Sequence, residues 1–163
     1  MRPKRVLTML STAWIACGLA VGAGRTGALG AGAPLAQPRD LAFTADASVV
    51  SDTLVVRVRA ENVTRYPVRL EHGACPLSVE ASGPEGRVGG SPSRACISIL
   101  LTPTLAPRRP RTLAAERVAL ADLGVADSEG PYAVTASLAL HEALGPISLR
   151  LGVFRDGQWR PAR

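Results

Sequence analysis

Recognisable catalytic machinery is missing from this chain of 163 residues. Its only histidines are His72 and His141, so at most two side chains are suited to act as a general base near neutral pH. No Gly-x-Ser-x-Gly elbow accompanies the serines, and no pair of carboxylates is spaced as acid and base on a recognisable scaffold. We therefore expect a protein that is not an enzyme, with no catalytic residue and no cofactor.

Lysine is also nearly absent, since every basic residue except Lys4 is an arginine. The formal charge of +6 suggests an anionic partner, but four of the basic residues lie in the N-terminal segment, which contains no acidic residue. From Pro34 onward fifteen arginines stand against thirteen acidic residues, which leaves a net charge of +2. This balance argues against nucleic acid as a partner.

The first residues have the pattern of an export signal. Arg2, Lys4 and Arg5 precede an uncharged stretch, Val6–Gly24, that is rich in apolar residues. This order is typical of a secretory signal, and the arginine-rich composition of the whole chain suggests a bacterial genome of high GC content. We assign residues 1–30 to a signal peptide or an N-terminal membrane anchor, and we expect a secreted, periplasmic or envelope-attached protein.

The fate of this segment is open among three alternatives. Small residues precede two sites for an ordinary signal peptidase, after Ala23 and after Gly30. If the segment is not cleaved it anchors the chain, because its apolar stretch is near the ~18 residues that a membrane span needs. In the third alternative, Cys17 is the acylated first residue of a lipoprotein. The remainder faces away from the cytoplasm in all three.

Beyond the signal, the chain divides into a low-complexity linker of Gly, Ala and Pro at residues 31–39 and one domain at 40–163. The domain consists of short apolar segments between turn residues, and most of them alternate apolar and polar positions as β-strands do. The segments are 54–60, 67–71, 77–81, 96–101, 132–140 and 147–153. We expect the first two to form a β-hairpin or adjacent strands, and Cys96–Leu101 to be a fully buried strand.

About seven or eight such strands, without long amphipathic helices, predict an antiparallel immunoglobulin-like β-sandwich, with a closed barrel as the alternative. Residues 112–123 favour helix by composition but show no clear period, so they are either a strand or a short helix. The apolar members of the alternating segments form the expected core. They include Val56, Val58, Val68, Leu70, Val134, Ala136, Leu138, Leu149 and Leu151.

Two cysteines, Cys75 and Cys96, remain after the N-terminal segment. An even pair in an exported chain favours a disulfide, which would close a loop rich in Gly, Pro and Ser. Such a closure stabilises a domain by roughly 3 kcal/mol, a large share where only five aromatic residues follow the signal. The alternatives are two free thiols or a metal site that includes His72. A zinc site requires four ligands, and the other histidine, His141, is distant in sequence. We expect no metal.

Three further motifs have ordinary explanations. The glycine pattern Gly22–Gly27 matches dinucleotide-binding loops, but it follows no strand and lies where the signal is cut. The glycosylation sequon Asn62–Thr64 is better explained as the turn between two strands. Three arginines in Arg108–Arg111 form the densest positive spot, which we interpret as a solvated edge.

The stretch VVRVRAENVTRYPVRLEHGACPLSVEASGPEG resembles the opening of the BsuPI-like, or intracellular proteinase inhibitor, family. There a strand ends in an Asn-Ser/Thr turn, a Pro-Val-x-Leu strand follows, and a third strand leads into a turn. Leu105–Pro107 and Gly130–Ala136 are similar to later parts of the same family. The resemblance implies an immunoglobulin-like fold and a non-catalytic binding module whose partner is a protease or an envelope protein. A structural envelope module without a soluble ligand is the alternative.

Overall fold

The computed structural model describes residues 32–93, 95–125, 130–141 and 144–162. Their only helical element is a short 3-10 turn, Pro38–Asp40. The strands in chain order are β1 (Leu41–Val50), β2 (Thr53–Asn62), β3 (Val68–Arg69), β4 (His72–Gly83), β5 (Gly86–Gly90), β6 (Leu100–Leu101), β7 (Thr104–Leu105), β8 (Pro110–Ala119), β9 (Tyr132–Leu140), β10 (Pro146–Arg155) and β11 (Gln158–Pro161). The predicted all-β antiparallel sandwich is confirmed. The strand count exceeds the prediction because β1, β5, β7 and β11 lie outside the predicted segments.

The first sheet has the order β1-β2-β8. β1, which the sequence analysis did not identify, pairs with β2 through a two-residue turn at Ser51–Asp52. Its inward residues are mostly alanine and valine. The hydrophobicity of inward and outward positions therefore differs little, and the alternation that marks a strand is weak. Because β1 and β8 occupy both edges of β2, the predicted pairing of 54–60 with 67–71 is wrong. β3 pairs with β7 instead.

The second sheet has the order β11-β10-β9-β4-β5, and β6 adds to β4. β9 and β10 lie where the alternation predicted strands, and they pair antiparallel along most of their length. β10 and β11 are joined by a two-residue turn at Asp156–Gly157, where both residues have positive φ. An Asp-Gly pair is a common choice for this type of tight hairpin turn. The second sheet thus carries most of the strands that the sequence pattern had indicated.

The main core lies between the two sheets. Every predicted core residue is buried except Leu149, which is half-buried and packs against the same cluster. Val68 and Leu70 belong to a second, smaller cluster with Ala36, Leu41, Ala60 and Leu105. The alternation therefore predicted the inward position of each of these residues correctly.

The ambiguous segment 112–123 is mostly a strand. β8 runs to Ala119, and turns follow over residues 120–124. Val118 is fully buried opposite Leu54 of β2, so this position belongs to the sandwich core. The irregular period has a structural cause: the register of β8 shifts beside Val58, which places Leu113 and Ala114 out of simple alternation.

The domain begins earlier than the sequence suggested. The predicted linker 31–39 includes Pro34–Ala36, whose backbone pairs with Arg69: the Arg69 amide donates to Pro34 O and the Ala36 amide donates to Arg69 O, both at 2.8 Å. Ala36 is buried. Residues 1–31, with Cys17 and the Gly22–Gly27 pattern, lie outside the described residues. Within the described residues, no helix has the length and apolar character to cross a membrane.

Candidate functional site

The predicted disulfide between Cys75 and Cys96 is confirmed, with the two α-carbons 6.1 Å apart. Cys75 lies in β4, at a place where the pairing of β4 with β9 is interrupted between His72 and Leu77. Pro76 follows, and a proline has no amide hydrogen to contribute to a ladder. The bridge therefore attaches the segment around Cys96 to an irregular part of β4. Because the sulfurs are bonded to each other, the alternatives of free thiols and of a metal site with His72 are wrong.

The segment after Cys96 exposes its apolar side chains. Ile97 is 68% exposed, and Ile99, Leu100 and Leu101 are between 42% and 57% exposed. We call Ile97–Leu101 the aliphatic segment. The prediction of a fully buried strand here is wrong. Only Leu100 and Leu101 pair with another strand, at Gly73 and His72 of β4, and the Ile99 amide donates to Ile97 O in a tight turn.

Strand pairing around β4 places the aliphatic segment at an edge of the second sheet. One edge of β4 pairs with β9, and the other pairs with β5 from Glu80 onward. Next to β5, the Val79 amide donates to Ser91 Oγ at 2.9 Å, and the Val79 carbonyl accepts from the Ser91 amide at 2.7 Å. The aliphatic segment pairs only with the first residues of β4, and Leu100 and Leu101 stay exposed there although their backbone is paired.

A cavity of about 530 Å³ adjoins the disulfide. It is lined by Cys75, Pro76 and Leu77 on one side and by Leu113 and Ala114 of β8 on the other. A second cavity, of about 340 Å³, shares Leu113 and is lined by Leu101 of the aliphatic segment and by Arg111 and Thr112 of β8. Together the two cavities follow β8 along the edge that does not pair with β2. We call them the β8 groove.

The two histidines lie near each other in the fold but have separate partners. His72 is 5% exposed, and its Nδ1 lies 2.7 Å from Gly73 O. His141 is exposed, its amide donates to Glu71 O, and its Nδ1 lies 3.8 Å from Glu71 Oε2. A backbone carbonyl and a carboxylate are therefore the partners of the two rings among the described contacts. The described residues also contain no group of three His, Cys, Asp or Glu side chains suited to hold a metal ion.

The sequon residue Asn62 has a structural role. Its side chain is fully buried, its Nδ2 donates to Tyr66 O at 2.7 Å and to Leu105 O at 3.0 Å, and its Oδ1 accepts from the amide and hydroxyl of Thr64. These bonds close the turn after β2 and hold it to β7. The interpretation of the sequon as a turn is supported, since no part of this amide is accessible to a glycan.

The arginines of Arg108–Arg111 lie on the surface. Arg108 has a positive φ of 55°, and its amide donates to Asn62 O at 2.8 Å. Arg111 Nη1 donates to Thr104 O at 3.4 Å. The three side chains are exposed next to a loop held by backbone contacts, as expected for a solvated edge. The sequence pattern thus predicted the disulfide but not the exposed aliphatic segment, because an apolar run has the same composition whether it is buried or exposed.

Comparison with known proteins adds little to this description. No family model matches the chain, and no curated protein matches it. Among solved structures it is similar to the solution structure of R. palustris CsgH, with 13% sequence identity and a TM-score of 0.34, over 68% of this chain and 91% of that chain. A similarity of this size carries no conclusion about function. The described residues define a disulfide-bonded all-β sandwich that presents an aliphatic segment at one edge.

Proposed function

We propose that this protein is an exported, non-catalytic binding module of the bacterial cell envelope, and that it binds a partner protein through the aliphatic segment. The observation that carries the proposal is the exposure of Ile97, Ile99, Leu100 and Leu101 within five consecutive residues. Clusters of exposed apolar side chains are rare on monomeric soluble proteins and mark interaction surfaces. Because each side chain is already about half-buried, burying the rest of it on a partner is worth about 1 to 2 kcal/mol.

Export is supported by two independent features. The N-terminal residues have the charge and apolar pattern of a signal, and the domain contains a disulfide between Cys75 and Cys96. Structural disulfides persist in oxidising compartments and are rare in the bacterial cytoplasm. Export into an oxidising compartment accounts for both the N-terminal pattern and the disulfide.

The β8 groove favours an extended segment of the partner as the ligand. It runs along β8 from Arg111 to Glu116, about 20 Å at the usual rise of a strand, on the side of β8 that faces away from β2. Backbone groups at a sheet edge that pair on one side only can receive a further strand. The aliphatic segment borders the same groove at Leu101, so an extended peptide in the groove would also contact apolar side chains.

The resemblance to BsuPI-like domains makes a protease one candidate for this partner. A surface segment tethered by the disulfide at Cys96 has a shape that can contact the cleft of another protein. Envelope proteins without protease activity are the other candidates. No cofactor is part of the proposal, and neither histidine has a proposed catalytic role, because their described partners are a backbone carbonyl and a carboxylate.

Site-specific photocrosslinking in the native host tests the proposal. A crosslinker at Ile97 should give one discrete adduct, and a crosslinker at Val50, an exposed residue of β1, should not. The crosslinked protein is then identified, purified and titrated with the wild-type chain. The double variant Ile97→Asp with Leu100→Asp should weaken binding at least about 100-fold, since two apolar contacts are lost and charges are introduced. Val50→Asp is the matched control and should bind within twofold of wild type.

The titration also separates the alternatives. If the identified partner is a protease, its activity on a peptide substrate should fall as the chain is added. If no adduct forms at Ile97, or if both variants bind the partner equally well, the aliphatic segment is not a binding surface. A structural envelope module without a soluble ligand would then be the better description.

A further inference from the structure

Three arginines share one concavity on the outer face of the second sheet. Arg150, Arg155 and Arg160 line a cavity of about 380 Å³ together with Gly152, Val153, Pro161 and Ala162. All three side chains are exposed, and no acidic residue lines the cavity. The site lies at the β10–β11 edge of the sheet, whereas the aliphatic segment lies beside β4. It is therefore separate from the proposed binding surface.

A β-bulge brings the first two arginines to the same face. Arg150 and Arg155 are five positions apart, and strict alternation would place them on opposite faces of β10. The register shifts between Arg150 and Gly152: Arg150 is opposite Thr135, and Val153 is opposite Ala133. Leu151, the extra residue, is buried. Bulges of this kind re-aim side chains and are frequent beside functional sites.

The hairpin supplies the third arginine. Because the Asp156–Gly157 turn fixes the register of β11 on β10, Arg160 lies directly opposite Val153 and projects from the same face. Asp156, the acidic residue nearest in sequence, lies in the turn and does not line the cavity. The three arginines thus come from two strands and line one cavity together with Val153.

The charges of this cluster differ from those of other exposed arginines. Arg59 pairs with Asp46 at 3.2 Å, and Arg87 pairs with Glu80 at 3.5 Å, so each of these cations has a neighbouring carboxylate. Arg150, Arg155 and Arg160 form no such pair within the described residues. Cations brought together without a counter-charge repel one another, and an anion placed among them would be attracted to all three.

We propose that this cluster binds the phosphate group of an anionic ligand. The planar guanidinium donates two parallel hydrogen bonds to oxygens of one anion, so three arginines can satisfy the oxygens of a phosphate from several directions. The floor of the cavity at Val153 and Gly152 offers no carboxylate to compete. The phosphate belongs either to a free anion or to the headgroup of a lipid, since the chemistry recognised is the same.

Calorimetric titration of the full chain with pyrophosphate tests the site directly. Wild type should bind saturably, and the triple variant Arg150→Gln, Arg155→Gln, Arg160→Gln should bind at least tenfold more weakly. The matched control is Arg57→Gln with Arg117→Gln, two exposed arginines that share a cavity with Asp46 on the other sheet. This control should bind within twofold of wild type. Far-ultraviolet circular dichroism checks that both variants keep their strand content.

A second measurement identifies the source of the phosphate. Binding is compared on vesicles of phosphatidylcholine alone and on vesicles with added phosphatidylglycerol, so that insertion of the N-terminal segment is common to both. An increase with phosphatidylglycerol that is lost in the triple variant assigns a lipid headgroup. Pyrophosphate binding without that increase assigns a free anion. The proposal is overturned if wild type binds neither probe, or if the triple and control variants lose binding equally.

Discussion

The indole of Trp159 lies against Gly152, in the space that any larger residue would need. A β-carbon built on Gly152 would stand 2.6 Å from Cη2 of Trp159 and 2.7 Å from Cζ2, and closer still to the carbonyl oxygen of Arg160. Trp159 also packs on Phe154, with ring centroids 4.9 Å apart, and its Nε1 donates to Ala47 O of β1 at 3.4 Å. The hydrogen bond to Ala47 joins the two sheets at one edge. The indole also packs on both sides of the β10 bulge, at Gly152 and at Phe154.

We therefore predict that Gly152→Ala destabilises the domain by about 1 to 3 kcal/mol, the usual range for overpacking a filled site. Thermal or urea unfolding measures the change. Gly73→Ala is the matched control, because a β-carbon at Gly73 meets no atom within 4 Å and should change the free energy of unfolding by less than about 0.5 kcal/mol. Equal stability of the two variants would contradict the proposed packing of the indole.

The buried amide of Asn62 leads to a second prediction. Asn62→Ala should lower the free energy of unfolding by about 2 to 4 kcal/mol, because the carbonyls of Tyr66 and Leu105 lose their donor and the Thr64 amide loses its acceptor. Urea unfolding measures this loss. Thr44→Ala, at an exposed position of β1, should cost less than about 0.5 kcal/mol. A small effect of Asn62→Ala would show that water replaces these hydrogen bonds.

The disulfide gives the third prediction. Cys75→Ser with Cys96→Ser should cost roughly 3 kcal/mol, because a bridge between residues 21 positions apart restricts the unfolded chain. Calorimetry should find that reducing agent lowers the melting temperature of wild type and leaves that of the double variant unchanged. The thiol count of the exported protein provides a separate check: two free thiols in the domain would contradict the bridge.

The fourth prediction concerns processing of the N-terminus. When the full chain is expressed with its own first residues, mass spectrometry of the exported protein should find a start at Gly24 or Ala31, or a lipid-modified Cys17. These outcomes distinguish secretion from lipid anchoring. Recovery of an intact Met1 in a soluble cytoplasmic protein would contradict export altogether.

The sequence predicted best where a signal was local. The alternation in β9 and the first half of β10 identified their buried faces, because side chains of a strand point alternately to opposite sides. The alternation failed after Leu151. Val153 was expected to follow Leu151 inward, but the bulge turns Val153 outward and Gly152 inward. No local pattern predicts that bulge, because Trp159, which packs against Gly152, lies on the neighbouring strand.

The prediction that Cys96–Leu101 is a buried strand was also wrong because burial depends on tertiary packing. Its apolar residues satisfied the composition of a buried strand, but Leu100 and Leu101 stay exposed although they pair with β4. Whether a side chain is buried depends on what packs on that face of the sheet, and composition does not specify this. In the first sheet, β2 does not pair with the next strand in sequence because β1 and β8 pair with its two edges.

The sequence by itself determined the strand periodicity, the inward residues of the central strands and the cysteine pair, since each depends on residue type and short spacing. Tertiary structure decided which strand edges pair, and therefore that Ile97–Leu101 lies exposed beside the disulfide and that Arg150, Arg155 and Arg160 share one face. The physical reason is that a side chain's direction is set locally by backbone geometry, whereas its neighbours are chosen by competition among strands far apart in the chain.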